Sequence, residues 1–196
     1  MLRPTTHILV GLALLAAAGC RPSTNTVSME TVRAEGEPTL ESWGAQFTVS
    51  QVPVGEEASR RRFEIRAGYL AEYTRGDSTY TLLRTDPARP EPHVTAYLYD
   101  ADDDTSATLT AQRVLYFEAD RRLEARGDVV VVAREGRRLE SEHLVWHEDD
   151  HTVRTPGFVR IVTPTEQVEG YGLEADEDLA TYRLLRVTAN VMYEDE

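Results

Sequence analysis

A chain of 196 residues is long enough for one domain with a real core, and at 41% hydrophobic and 28% charged residues its composition is that of a folded protein. The formal charge of −13 argues against a nucleic-acid binder, whose affinity comes largely from neutralising phosphates, and against a reader of anionic lipid head groups. It leaves the binding of apolar chains open.

The chain begins with Arg3 and an apolar run, Ile8 to Ala18, of 11 residues. As a helix this run would reach roughly 16 Å, about half a bilayer core. It fits the h-region of a signal peptide better than a membrane span. The run ends in Leu15-Ala16-Ala17-Ala18-Gly19-Cys20, which resembles a bacterial lipobox, with Ala17 where a leucine is usual. Small residues admit a peptidase to the cleaved bond, and the Cys20 thiol would accept diacylglycerol as a lipid anchor. Cys20 is the only cysteine, so no internal disulfide is possible. The alternative is a free thiol behind an ordinary secretory signal. Removing residues 1–19 takes Arg3 with it and leaves 20 basic against 34 acidic residues. Residues 20–42, punctuated by Pro22, Gly36 and Pro38, read as a linker that holds a domain, 43–196, away from a membrane.

Trp43 to Val54 is the first candidate strand. Beyond residue 60 apolar and polar residues alternate: Phe63, Ile65 and Ala67, then Val94, Ala96 and Leu98, then Leu109 and Ala111. A period of two with frequent Thr, Val and Tyr predicts half-buried strands. Turn chemistry recurs at Arg75-Gly76-Asp77, Asp100 to Asp104, Glu118 to Arg121, Glu135-Gly136-Arg137, Glu148 to His151 and Ala175 to Asp178. Shifting the sequence by 30 residues lays Leu109 on Leu139, Val114 on Leu144, Tyr116 on Trp146, Leu123 on Val153, Gly127 on Gly157, Val129 on Val159 and Val131 on Ile161. Earlier and later copies start near Ile65 and Val168, and a Pro-rich insert, Asp86 to Pro92, lengthens the first. Each unit predicts strand, break, strand, hairpin, strand, glycine, strand. No unit can bury its apolar face alone, so stacked units share one seam. Gly127 and Gly157 suit a bulge or bend.

Catalytic patterns are missing: no nucleophile elbow, phosphate loop or dinucleotide glycine motif occurs. His143, His147 and His151 have helical spacing, but on a strand residues four apart are about 13 Å apart and cannot share a zinc. Asp100, Asp102, Asp103 and Asp104 resemble the start of a calcium loop, yet Thr105 and Ala111 stand where glycine and glutamate are required. No enzyme, metal or cofactor is expected. What remains is the apolar seam: Ile65, Leu70, Leu98, Leu109, Val114, Tyr116, Leu123, Val129, Val131, Leu139, Leu144, Trp146, Val153, Val159, Ile161, Val168 and Leu173. These residues form either a closed, dry core or a groove for acyl chains, and periodicity does not separate the two.

The units Thr108 to Val131, Leu139 to Ile161 and Gly170-Tyr171-Gly172-Leu173-Glu174-Ala175-Asp176 resemble the OstA-like repeats of the LptA/LptC family, over about residues 43–193. A single short domain behind a membrane tether looks like the LptC branch. The resemblance implies a twisted, open all-β jellyroll or sandwich whose interior takes the acyl chains of lipopolysaccharide. It implies docking on LptF and LptG of the LptB2FG transporter, transfer to LptA, and a periplasmic place at the inner membrane. The last strand, Leu185 to Tyr193, with Val187, Ala189, Val191 and Tyr193 read as one face, would be the edge that meets LptA. A structural or assembly lipoprotein with a sealed core and only protein partners is the alternative.

Overall fold

The computed structural model describes residues 37–52, 58–76, 78–86, 88–89 and 93–192, all within the compact unit Glu35–Glu196. The expected signal segment, Cys20, the linker up to residue 36 and Tyr193 lie outside the described residues.

Among the described residues the alternating segments form eleven strands: β1 (Leu40–Gln51), β2 (Arg60–Arg75), β3 (Ser78–Arg84), β4 (Val94–Tyr99), β5 (Thr105–Ala111), β6 (Arg113–Phe117), β7 (Arg122–Ala133), β8 (Arg138–His147), β9 (Thr152–Val162), β10 (Glu166–Asp176) and β11 (Tyr182–Met192). All join one antiparallel sheet, with β1 and β11 at its ends. Among the described residues there is no α-helix, only a 3-10 turn at Arg134–Gly136 between β7 and β8. The fold is of the all-β jellyroll type that the family resemblance implies.

Two pairs of short strands are long strands broken midway. β3 pairs with Tyr69–Arg75 of β2 while β4 pairs with Phe63–Arg66 of the same strand. β5 and β6 divide β7 in the same way. The ladders of β7, β8 and β10 shift register between Arg126 and Val129, Ser141 and Val145, and Tyr171 and Leu173. The breaks fall at Gln112, Gly127, Glu142, Gly157 and Gly172, fifteen residues apart. The 30-residue repeat is therefore two bent strands. At Gly127 the expected bulge is present: φ is +78° there and +47° at Asp128, and a Cβ would lie 2.7 Å from Gln112 Oε1.

Aligned bends fold the sheet into two leaves. The first holds residues 60–66 of β2, β4, β5 and the segments 129–133, 138–141, 158–162 and 166–171. The second holds residues 69–75, β3, β6 and the segments 122–126, 144–147, 152–155 and 173–176. They meet face to face: Phe63 of the first leaf packs edge-on to Tyr116 and Trp146 of the second, with ring centroids 5.1 and 5.6 Å away.

Three boundaries differ from the expectation. β1 begins at Leu40, so the last three residues assigned to the linker are strand. Leu40 and Glu41 are exposed and give no alternating signal; ladder pairing with Glu72 and Ala71 orders them. β11 begins at Tyr182 rather than Leu185. The β9–β10 turn at Thr163–Thr165, where the Thr163 hydroxyl accepts the N–H groups of Thr165 and Glu166, adds to the expected turns and has Pro164 at its centre.

Candidate lipid-binding seam

Antiparallel pairing fixes which side chains share a face, so the seam can be traced strand by strand. In the first leaf one cross-strand row runs Phe47, Ile65, Ala96, Leu109, Val131, Leu139, Ile161, Val168 and Asn190, from one edge of the sheet to the other. In the second leaf the facing row runs Tyr116, Leu123, Trp146, Val153, Ala175 and Tyr182. Ile65, Leu70, Leu98, Leu109, Val114, Tyr116, Leu123, Val129, Val131, Leu139, Leu144, Trp146, Val153, Val159, Ile161 and Leu173 are all buried and belong to one cluster. Val168 is also buried, though outside that cluster. Phe63, Leu83, Val94, Ala96 and Leu179 belong to the cluster as well. Phe63, Val94 and Ala96 stood in the alternating pattern from which the set was drawn; Leu179 sits in a turn at φ +57°, where no periodicity reaches.

The leaves are nearly shut. The gap between Leu98, Leu109, Leu123, Val131, Leu144, Trp146 and Val153, with Glu177 at its rim, measures about 20 Å³, room for about one water-sized probe. Its free margin lies where the turns of the two leaves approach each other, and that margin is polar. Glu148, in the β8–β9 turn of the second leaf, is buried and accepts from Arg62 of the first leaf at 3.3 Å and from Arg121 at 2.8 Å. Arg62 also meets His151 Nδ1 at 3.3 Å, and the same nitrogen lies 3.1 Å from Glu177. Glu177 accepts from Trp146 Nε1 at 3.2 Å, joining the polar rim to the core. Further along, Arg121 donates to Gln51 and Arg137 to the Asp178 carbonyl, again from leaf to leaf. Just inside, burial and the nearby Glu148 and Glu118 carboxylates push the Tyr116 hydroxyl up to about 12.

On the outer face of β7 and β8 a second charged group sits apart from the seam. Glu124 is buried and accepts from Arg122, Arg126 and His143, the last at 3.0 Å. Burial acts to raise its pKa, but the hydrogen bonds and charges of His143 and Arg126 outweigh it and hold the carboxyl below its ordinary value. A carboxyl lowered on folding stabilises above its unfolded pKa, and that contribution is lost as pH falls through the folded value. Thermal melts should therefore show a drop in Tm on acidification below about pH 4. Glu124→Gln should lower Tm at pH 7 and flatten that acid limb; an unchanged limb rejects the assignment.

His143 and His147 lie on β8 and His151 in the following turn, as the sequence predicts. No group of residues among those described could hold a metal ion. In the β4–β5 turn Asp100 Oδ1 accepts the N–H groups of Asp102 and Asp104, while Asp103 pairs with Arg61 at 2.7 Å. Asp100 thus braces the turn, and Asp100 and Asp103 tie it to Arg134 and Arg61.

The edge strand requires a correction. β11 carries one extra residue where the ladder shifts between Glu169 and Gly170. Val187 pairs with Gly170, in the seam-facing row of Val129, Ser141 and Val159. Ala189 pairs with Glu169, in the outward row of Glu140 and Arg160, and Val191 pairs with Gln167 on that same side. Val187 therefore does not share a face with Ala189 and Val191; a bulge breaks the period of two. Asn190 and Met192 take the seam-facing places instead.

Residues 91–194, just over half of the chain, match the LptC family, described as lipopolysaccharide-assembly, LptC-related. The chain belongs to the LptC family. Membership gives it a role in lipopolysaccharide transport, in a family of transport components associated with the periplasmic side of the inner membrane. No curated protein matches the chain significantly. The family match starts just before β4, yet β1 to β3 continue the same sheet, so the LptC-family seam here extends beyond the matched region. No helix among the described residues is long and apolar enough to cross a membrane.

Proposed function

We propose that this chain is a non-enzymatic carrier that holds the acyl chains of lipopolysaccharide between its two leaves. It would receive the lipid from LptF and LptG of the LptB2FG transporter and pass it to LptA, while a lipid anchor at Cys20 tethers it. The observation that carries this reading is the unbroken apolar row from β1 to β10, set in a family that serves lipopolysaccharide transport. Each methylene taken from water is worth about 0.8 kcal/mol, and an edge-to-edge track keeps that gain constant along the path.

A gap of about 20 Å³ holds no acyl chain, so loading requires the leaves to part. Exchanging side-chain contacts for lipid contacts replaces one apolar packing with another, and the main resistance is the polar margin around Glu148. Among the described residues β11 pairs only with β10 and β1 only with β2, and each offers a strand edge on which a neighbouring jellyroll could continue the sheet.

A photocrosslinking amino acid at Leu109, Leu144 or Ile161 should trap lipopolysaccharide in cells. The sealed gap favours a second reading, a structural lipoprotein with protein partners alone; crosslinks only to protein would establish it and remove the carrier. Glu148→Gln keeps the side-chain volume and removes the charge that Arg62 grips. It is expected to raise the lipid crosslink yield at Leu98 several-fold. A yield equal to that of the unaltered protein would mean that the margin does not hold the leaves together.

A further inference from the structure

On the outer side of the sheet, away from the seam, Asp86 and Arg89 stand beside the bend of β2 and help line a cavity of about 670 Å³. Small-molecule sites fall in the range of about 300–1,000 Å³. Asp86 docks closely: a Cβ on Gly68 would lie 2.6 Å from its backbone nitrogen. Asp86 also accepts the N–H of Ala88 through Oδ1 and that of Arg89 through its carbonyl.

The lining has a mixed character. Trp43 is 63% exposed although it sits edge-on to Tyr69 at 5.5 Å, which fixes its indole beside the opening. Tyr97 lies across the cavity with the Arg66 guanidinium over its ring at 5.2 Å. Between these aromatic groups come Gln46, Arg66, Asp86, Arg89, His93 and Thr95. Gln46, Arg66 and Thr95 share one outward cross-strand row, which makes a rigid polar floor. An aromatic face suits the C–H face of a sugar ring, and closely spaced amide, carboxylate, hydroxyl and guanidinium groups suit its hydroxyls. Arg66 is paired with Glu64 at 2.8 Å, whereas Arg89 meets Asp86 only at 3.9 Å, so Arg89 is the lining guanidinium most available to an anion.

We propose that this cavity binds an anionic saccharide, a sugar ring bearing a phosphate or carboxylate, with Trp43 as the stacking platform and Arg89 as the anion partner. Arg89 is free to turn toward a ligand, since its side chain is 85% exposed and its pairing with Asp86 is long at 3.9 Å. The site is separate from the acyl-chain seam and does not require the leaves to open.

The test is calorimetric titration of the full chain with glucosamine 6-phosphate and glucuronic acid, with glucose as the neutral control, while tryptophan fluorescence is followed. Trp146 is buried, so a fluorescence change on binding belongs to Trp43. The expected result is saturable binding, tighter for both anionic sugars than for glucose and lost in Trp43→Ala. Arg89→Ala should reduce anionic-sugar affinity several-fold without altering glucose binding or the melting temperature. Trp43→Phe should keep the heat of binding and lose the fluorescence change. A second titration compares deacylated lipopolysaccharide saccharide with a uronate-bearing polysaccharide fragment; binding of either supports the cavity and names its source. No heat with any sugar, or equal affinity in Trp43→Ala, overturns the proposal. Lipid crosslinking within the seam is independent of either result.

Discussion

Trp146→Ala should cost about 3–5 kcal/mol of folding stability, read from urea denaturation midpoints. The side chain is 4% exposed. It fills the space between the leaves, packs edge-on to Phe63 at 5.6 Å, and donates from Nε1 to Glu177 at 3.2 Å. Truncation removes a large apolar area, leaves a cavity at the point where the leaves meet, and releases Glu177, which also holds His151. Since the strands of each leaf are tied in ladders that Trp146 does not bridge, the far-ultraviolet signature of β-structure should survive in the folded variant. Leu185→Ala is the control: at 87% exposure it should change stability by less than about 0.5 kcal/mol. A Trp146→Ala cost below about 1 kcal/mol would show that the two leaves do not depend on this contact.

Gly170→Val is expected to detach β11. A Cβ at this position would lie 2.3 Å from the Arg186 carbonyl oxygen and 3.0 Å from Leu184 Cδ1. The first of these is backbone of the neighbouring strand, so no rotamer change relieves it; β11 must move. The variant should lose about 1–3 kcal/mol, with the loss concentrated at one edge. Hydrogen exchange should show reduced amide protection over residues 182–192 and unchanged protection in β7 and β8. If β11 is the edge offered to LptA, crosslinks from Val191 to that partner should disappear together with the protection. Unchanged protection across β11 would show that the close approach at Gly170 is not what seats the strand.

Strand character was legible because its cause is local. Alternation of apolar and polar residues needs only the pleat, and turns such as Glu118–Arg121 and Glu148–His151 carry their own chemistry. Those two turns are 30 residues apart, and both end on a residue at positive φ, Arg121 at +46° and His151 at +51°. The repeat is thus written into the backbone as well as the side chains. Each residue assigned to the seam is buried for the same reason: once one face of a strand is apolar, stacking leaves it nowhere else to go.

The face of β11 was not legible. Its extra residue opposite Gly170 depends on pairing with β10, and a one-residue shift moves every following side chain to the other side. The polar margin was equally hidden. Arg62 and Glu148 are 86 residues apart, and neither is distinguished from the many solvated arginines and glutamates of this chain until the bends bring the turns together. Glu64 and Glu124 are buried on the outer face for the same nonlocal reason.

By itself the sequence determined a stack of bent β-strands with one apolar face, because period, turn residues and the repeat act over a few neighbouring positions. Only the tertiary structure decided that the bends align every fifteen residues, that the two leaves close to a gap of about 20 Å³, and that Arg62 and Glu148 hold their margin. Those features arise from contacts between residues far apart in the chain, whose geometry is set by strand register and by the summed packing of all the leaves' side chains.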